Sequence, residues 1–102
     1  MSVAYVIGFN VRPQQRARFM RLLTGVLDAM REEAMFVSAT LHADPQNPDR
    51  FLLHEIWRDH QDVLDVQLAR TYRQAWHEAL PELLDGPRDV SIWTPIRSDR
   101  RD

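Results

Sequence analysis

His54 and Glu55 stand side by side inside the apolar run Phe51-Leu52-Leu53-His54-Glu55-Ile56-Trp57. An imidazole beside a carboxylate suggests proton transfer or metal binding. The run is short and rich in strand-favouring residues, and neighbours on a strand point to opposite faces. Glu55 then shares a face with Leu53 and Trp57, while His54 shares one with Leu52 and Ile56. The two cannot work as an intimate pair. His54 reads first as a satisfied or partly exposed histidine. The remaining histidines, His42, His60 and His77, are scattered, and none follows Glu55 at helical spacing, so no H-E-x-x-H motif exists and no metal is expected. The chain has no cysteine, which removes disulfides, thiolate nucleophiles and Cys-ligated metals. No serine or threonine sits in a nucleophile motif, and Gly8, Gly25 and Gly86 are too far apart to cradle phosphate. What remains is the aromatic set Tyr72, Trp76 and Trp93. Core packing explains these rings; the functional reading is that they wall a cavity for a flat substrate.

The elements that must hold these side chains are legible as periodicities. From Val3 to Val11, large residues at Val3, Tyr5, Ile7, Phe9 and Val11 alternate with Ala4, Val6, Gly8 and Asn10, which is a strand with two distinct faces. Arg12-Pro13 ends it. Gln14 to about Glu33 reads as a helix, with Phe19, Leu22, Leu23, Val26, Leu27 and Met30 on one stripe and charged residues on a solvated face opposite. Phe36 to His42 is a second strand, residues 43–50 a turn cluster with two prolines, and Phe51 to Trp57 a third strand. Asp59 is positioned to cap a helix running to about Ala69, with Val63, Leu64 and Leu68 inward. Thr71-Tyr72-Arg73-Gln74 fits a capping box that opens another helix. Its apolar stripe is Tyr72, Ala75, Trp76, Ala79, Leu80 and Leu83, with Pro81 expected to kink or restart it and Gly86-Pro87 to end it. Asp89 to Ile96 is a short last strand, and Pro95 puts it at a sheet edge.

The order is β-α-β-β-α-β with the second helical section split. That is an α+β, ferredoxin-like arrangement: an antiparallel sheet with helices on one face, in a single domain over 1–102 whose residues 97–102 form a flexible tail. Apolar residues on both faces of the third strand argue that the uncovered side of the sheet packs on a second copy, giving a homodimer. The net charge of −2, without any block of like charge, argues against nucleic-acid or membrane partners, although all 13 basic residues are arginine. No apolar stretch approaches the roughly 20 residues that span a bilayer. With no signal-like N-terminus either, a cytoplasmic location is expected.

Several segments together carry a family resemblance: Asn10-Val11-Arg12-Pro13, Asp44-Pro45, Asn47-Pro48-Asp49-Arg50-Phe51, His54-Glu55-Ile56-Trp57-Arg58-Asp59, Leu80-Pro81-Glu82-Leu83-Leu84 and Gly86-Pro87-Arg88. In order and spacing they resemble the antibiotic biosynthesis monooxygenase family of dimeric α+β barrel proteins. The resemblance implies homodimers with a pocket between sheet and helices, and a cofactor-independent monooxygenase that oxidises a small aromatic or quinol-type compound with molecular oxygen. In that reading the catalytic candidates are Asn10, Tyr72, His54 and His77. Asn10 offers an amide, Tyr72 a phenolic hydroxyl, and His54 or His77 takes the proton whose loss makes the substrate electron-rich. Trp76, Trp93, Gln67 and Glu55 line the pocket, with Glu55 read first as a structural hydrogen-bonding group. Gln67 and Tyr72 stand where the family often carries histidine. The resemblance leaves open a non-catalytic ligand-binding or stress-related module of the same fold, a haem-binding or haem-degrading protein with His77 as ligand, and an isomerase of a phosphorylated sugar-like dione. A cavity of about 300 Å³ or more favours ligand chemistry over a filled core.

Overall fold

In a computed structural model the chain is described over residues 2–101. Four strands, β1 (Val3–Asn10), β2 (Phe36–Asp44), β3 (Asn47–Trp57) and β4 (Asp89–Trp93), form one sheet in the order β2-β3-β1-β4. Every neighbouring pair is antiparallel. Three helices, α1 (Arg16–Met30), α2 (His60–Asp65) and α3 (Gln74–Leu83), complete the α+β, ferredoxin-like fold. As β1 and β3 are paired Phe9 to Phe51, Ile7 to Leu53, Tyr5 to Glu55 and Val3 to Trp57, their alternation puts all eight of these side chains on the helix-covered face.

The core lies between that face and the helices. Phe19, Leu23, Val26 and Met30 of α1 are buried, as the stripe requires, with Leu22 and Leu27 at its margins. Phe19 meets Phe9, Phe51 and Trp76 at ring-centroid distances of 5.2, 5.0 and 5.6 Å. These rings tie α1, both central strands and α3 into one contact, with geometries in the favourable aromatic range.

Several boundaries differ from the sequence expectation for identifiable reasons. The β2–β3 hairpin turns in two residues, Pro45 and Gln46, so β3 starts at Asn47 and includes Pro48. The Asx side chains close this turn themselves: Asp44 Oδ1 accepts from the Gln46 N–H at 2.8 Å, and Asn47 Oδ1 from the Asp49 N–H at 3.0 Å. Residues Pro13–Gln15 form a single 3-10 turn before α1. Asp59 does cap α2, its Oδ2 accepting from the Asp62 N–H at 3.0 Å, but α2 stops at Asp65 and a 3-10 turn, Gln67–Ala69, follows. Only Val63 of its expected inward set is buried; Leu64 and Leu68 are 48% and 46% exposed.

The capping box at Thr71 does not form. Thr71–Arg73 is a 3-10 turn without a side-chain cap, and α3 begins at Gln74. Pro81 sits inside α3 without ending it, because it lies in the last turn with its ring toward solvent and removes only one helical hydrogen bond. Beyond α3, Asn10 C=O accepts from the Asp85 N–H, and the Arg12 N–H donates to Leu83 C=O, both at 2.8 Å. Gly86, at φ 109°, then reverses the chain into β4, a conformation that side chains disfavour. β4 is an edge strand ending at Trp93, and residues 97–101 of the charged tail carry no regular structure; its last residue lies outside the described residues. Among the described residues, no helix is long and apolar enough to cross a membrane.

Candidate active site

Between the covered face of the sheet and the helices lies a cavity of about 240 Å³. Its floor is Tyr5, Ile7 and Phe9 of β1 with Leu53 and Glu55 of β3. Leu23, Val26 and Met30 of α1, with Val63 of α2 and Trp76 of α3, make apolar walls. Leu64, Leu68, Val90 and Ile92 also line it and remain part-exposed, so they form its rim. Six polar side chains reach it: Tyr5, Glu55, His60, Arg73, His77 and Arg88.

Glu55 is 6% exposed and accepts a hydrogen bond from the Trp57 indole N–H at 2.8 Å. Burial pushes its carboxyl above the ordinary carboxylate value, and the Trp57 bond and the Arg73 and Arg88 charges oppose that rise. His77 is half-buried on α3, and burial together with the charges of Arg88 and Arg73 lowers its pKa. A lowered pKa keeps the imidazole neutral, and so able to accept a proton, at neutral pH. The Tyr5 hydroxyl is hydrogen-bonded to His60 Nδ1, with the direction of donation set by the imidazole tautomer. Tyr5 is held in its protonated form by burial and by the nearby Glu55 and Asp59 charges.

Arg73 is 7% exposed, with its guanidinium 5.7 Å from the rings of both Trp57 and Tyr72. Arg88, exposed over part of its surface, has its pKa lowered by burial and by Arg73, while Glu55 acts in the other direction. An arginine remains cationic under such shifts. Among the described residues, no three histidine, aspartate or glutamate side chains converge as a metal site would require.

The structure therefore brings Glu55, Trp76 and His77 to one cavity. Asn10, His54 and Trp93 project from the other face of the sheet: Asn10 and His54 alternate with the buried residues of β1 and β3, and Trp93 pairs with Ala4. Trp93 is 61% exposed there, its indole N–H donating to Ser91 Oγ at 2.9 Å. Tyr72 and Gln67 meet elsewhere, on Glu33 in the turn that follows α1. The Tyr72 hydroxyl donates to Glu33 Oε1 at 3.4 Å, and Gln67 Nε2 donates to Asp62 Oδ2 at 3.1 Å and to Glu33 Oε2 at 3.4 Å. Arg70 joins them with an ion pair to Glu33 at 3.0 Å, so this cluster pins the α2–α3 connection.

Four polar residues of the cavity escape the sequence reading: Tyr5, His60, Arg73 and Arg88. Arg73 had a usable signal, because it falls in phase with the buried Trp76, Ala79 and Leu83 of α3, where an arginine has to be explained. Tyr5 shares the parity of the buried β1 residues, and His60 directly follows the Asp59 cap.

The sequence profile of the antibiotic biosynthesis monooxygenase family matches residues 2–85. A protein of Pestalotiopsis microspora named as a putative monooxygenase is 28% identical over 94 residues, covering 91% of this chain and 78% of the relative. Among solved structures, Rv0793 from Mycobacterium tuberculosis superposes with a TM-score of 0.87 at 23% identity, covering 98% of this chain and all of the other. SnoaB, a cofactor-independent oxygenase from Streptomyces nogalater, superposes with a TM-score of 0.80 at 21% identity, covering 95% of each chain. The matched profile spans most of the chain, including every strand but β4 and all three helices, and on that ground the chain belongs to the antibiotic biosynthesis monooxygenase family.

Proposed function

We propose that the protein is a cofactor-independent monooxygenase that oxidises a small aromatic or quinol-type compound with molecular oxygen in the cavity between sheet and helices. The observation that carries this reading is a mostly apolar chamber that holds a histidine of lowered pKa beside two guanidinium groups. Neutral His77 accepts a proton from the bound substrate. Arg73 and Arg88 stabilise the resulting anion, whose charge is felt strongly where water is excluded. An electron-rich anion reduces oxygen directly, and recombination at carbon gives a peroxide. Loss of water from the peroxide leaves a new carbonyl. One oxygen atom enters the product and the other leaves as water with the hydrogen of that ring carbon and the hydroxyl proton removed at the start, so no outside reductant is required.

The size of the chamber limits the substrate. A cavity of about 150 Å³ takes up benzene, so about 240 Å³ suits a substituted ring. The volume falls below the about 300 Å³ at which drug-sized sites begin, which keeps, as a second reading, a non-catalytic ligand-binding or stress-related module of the same fold. A haem macrocycle is larger than the chamber as it stands.

We further propose that the open sheet face packs on that of a second copy, as family members are commonly dimeric. Asn10, His54 and Trp93 would then lie at or near the interface.

Oxygen uptake with a panel of quinols tests the first reading. The expected result is turnover that His77→Ala reduces by about 10²–10⁴-fold. If His77→Ala left turnover intact while Asn10→Ala and Tyr72→Phe abolished it, the reaction would belong elsewhere in the molecule.

A further inference from the structure

Arg73 is the least comfortable side chain of the cavity. Its Nε and Nη2 atoms are buried and have no hydrogen-bond partner in the protein. Among the described residues, neither Arg73 nor Arg88 forms an ion pair. The one acid facing the same space, Glu55, already receives the Trp57 indole N–H on Oε1. The remaining polar groups, Tyr5, His60 and His77, add no negative charge at neutral pH. Two guanidinium groups against a single carboxylate leave the chamber positive at rest. A buried donor without an acceptor is costly, and a buried charge more so, unless a ligand or water completes it.

The two unpartnered atoms also carry shape information. Nε–H and one Nη2–H lie along the same edge of the planar guanidinium and point in parallel, the spacing that matches both oxygens of a carboxylate. Arg73 lines the cavity, whose apolar walls take a ring, and a carboxylate reaches that covered edge by a small shift of the side chains packed over it. We propose that the ligand of the cavity enters with a permanent carboxylate on a small aromatic ring, bound edge-on by Arg73 and approached by Arg88 at the rim. The inference rests on the cavity being the reaction site, and it narrows the substrate class to aromatic acids. It differs from stabilising an anion formed during turnover, because the charge is present before any proton is removed.

Calorimetric titration under nitrogen, where nothing turns over, tests it with gentisate, its neutral amide gentisamide, and phenyl phosphate. Gentisate should bind the parent at least about tenfold tighter than gentisamide, since a buried charge pair commonly accounts for such a factor or more. Arg73→Gln should reduce the ratio to within about twofold, and Arg73→Lys should restore part of it. Because Arg73 is buried, folding of each variant is checked by circular dichroism. Arg88→Gln, at a part-exposed position, provides a second arm and should weaken gentisate while leaving gentisamide unchanged.

Equal affinity for acid and amide, a preference unaltered by Arg73→Lys and Arg88→Gln, tighter binding of phenyl phosphate than of gentisate, or no binding of any probe up to about ten millimolar would each overturn the proposal. Oxygen uptake separates it from the oxygenase reading. Selective gentisate binding without oxygen consumption by gentisate or by any quinol of the panel supports the acid site and removes the oxygenase. Consumption with plain hydroquinone and no preference for the acid does the reverse.

Discussion

The pKa of His77 is lowered, and burial is the largest cause. Its neutral form is the active one for proton acceptance, so activity is present above its pKa and lost as pH falls through it. The expected profile of kcat/KM has an acid limb with a midpoint below the ordinary histidine value of about 6.5, and His77→Ala removes that limb. Glu55 behaves in the opposite sense. Its pKa is raised in the folded state, so the folded protein holds this proton more tightly than the unfolded chain. Its contribution is complete below the ordinary value of 4.5 and is lost as pH rises through the folded value. Glu55→Gln keeps an acceptor for the Trp57 N–H and cannot ionise. Scanning calorimetry should therefore find the Tm of the variant gaining on the parent as pH rises above the unfolded value and through the raised folded one; a constant gap would show that Glu55 titrates normally.

At the scale of elements, the site depends on two short devices. The Asp59 cap starts α2 one residue before His60, and so aims the imidazole at Tyr5. Asp59→Ala should cost about 1 kcal/mol in urea denaturation and loosen the Tyr5–His60 contact, visible as a shifted Tyr5 titration. Phe19 of α1 is fully buried at the meeting point of Phe9, Phe51 and Trp76. Phe19→Ala should cost about 3–5 kcal/mol, a large share of the stability of a domain this size. The strands and α1 were legible because their periods are local and long. The Thr71 capping box failed because such a motif needs its residue at the helix start, and the Glu33 cluster holds the chain in a 3-10 turn there instead. That competing set of partners lies nearly forty positions away, outside any local pattern.

The molecule as a whole leaves the second face of its sheet uncovered. Leu52 is 42% exposed and Trp93 61%, on the side that carries Val6, His54 and Ile56. Packing of two such faces should give a dimer by sedimentation at micromolar concentration, and Leu52→Glu, which places a charge in that contact, should shift it to monomer. A parent that sediments as a monomer would remove the dimer from the proposal.

Residue order alone determined the fold class, the alternation that separates His54 from Glu55, and the inward stripe of α1, because each follows from a repeat within one element. Which parity of each strand meets the helices was decided only by the assembled sheet, and that choice put Asn10, His54 and Trp93 outside the cavity. The cavity's charge was likewise a tertiary outcome. Arg73 and Arg88 lie on different segments, and only the packing of α3 and β4 against β1 and β3 brings them to Glu55 and turns two ordinary arginines into one electropositive chamber.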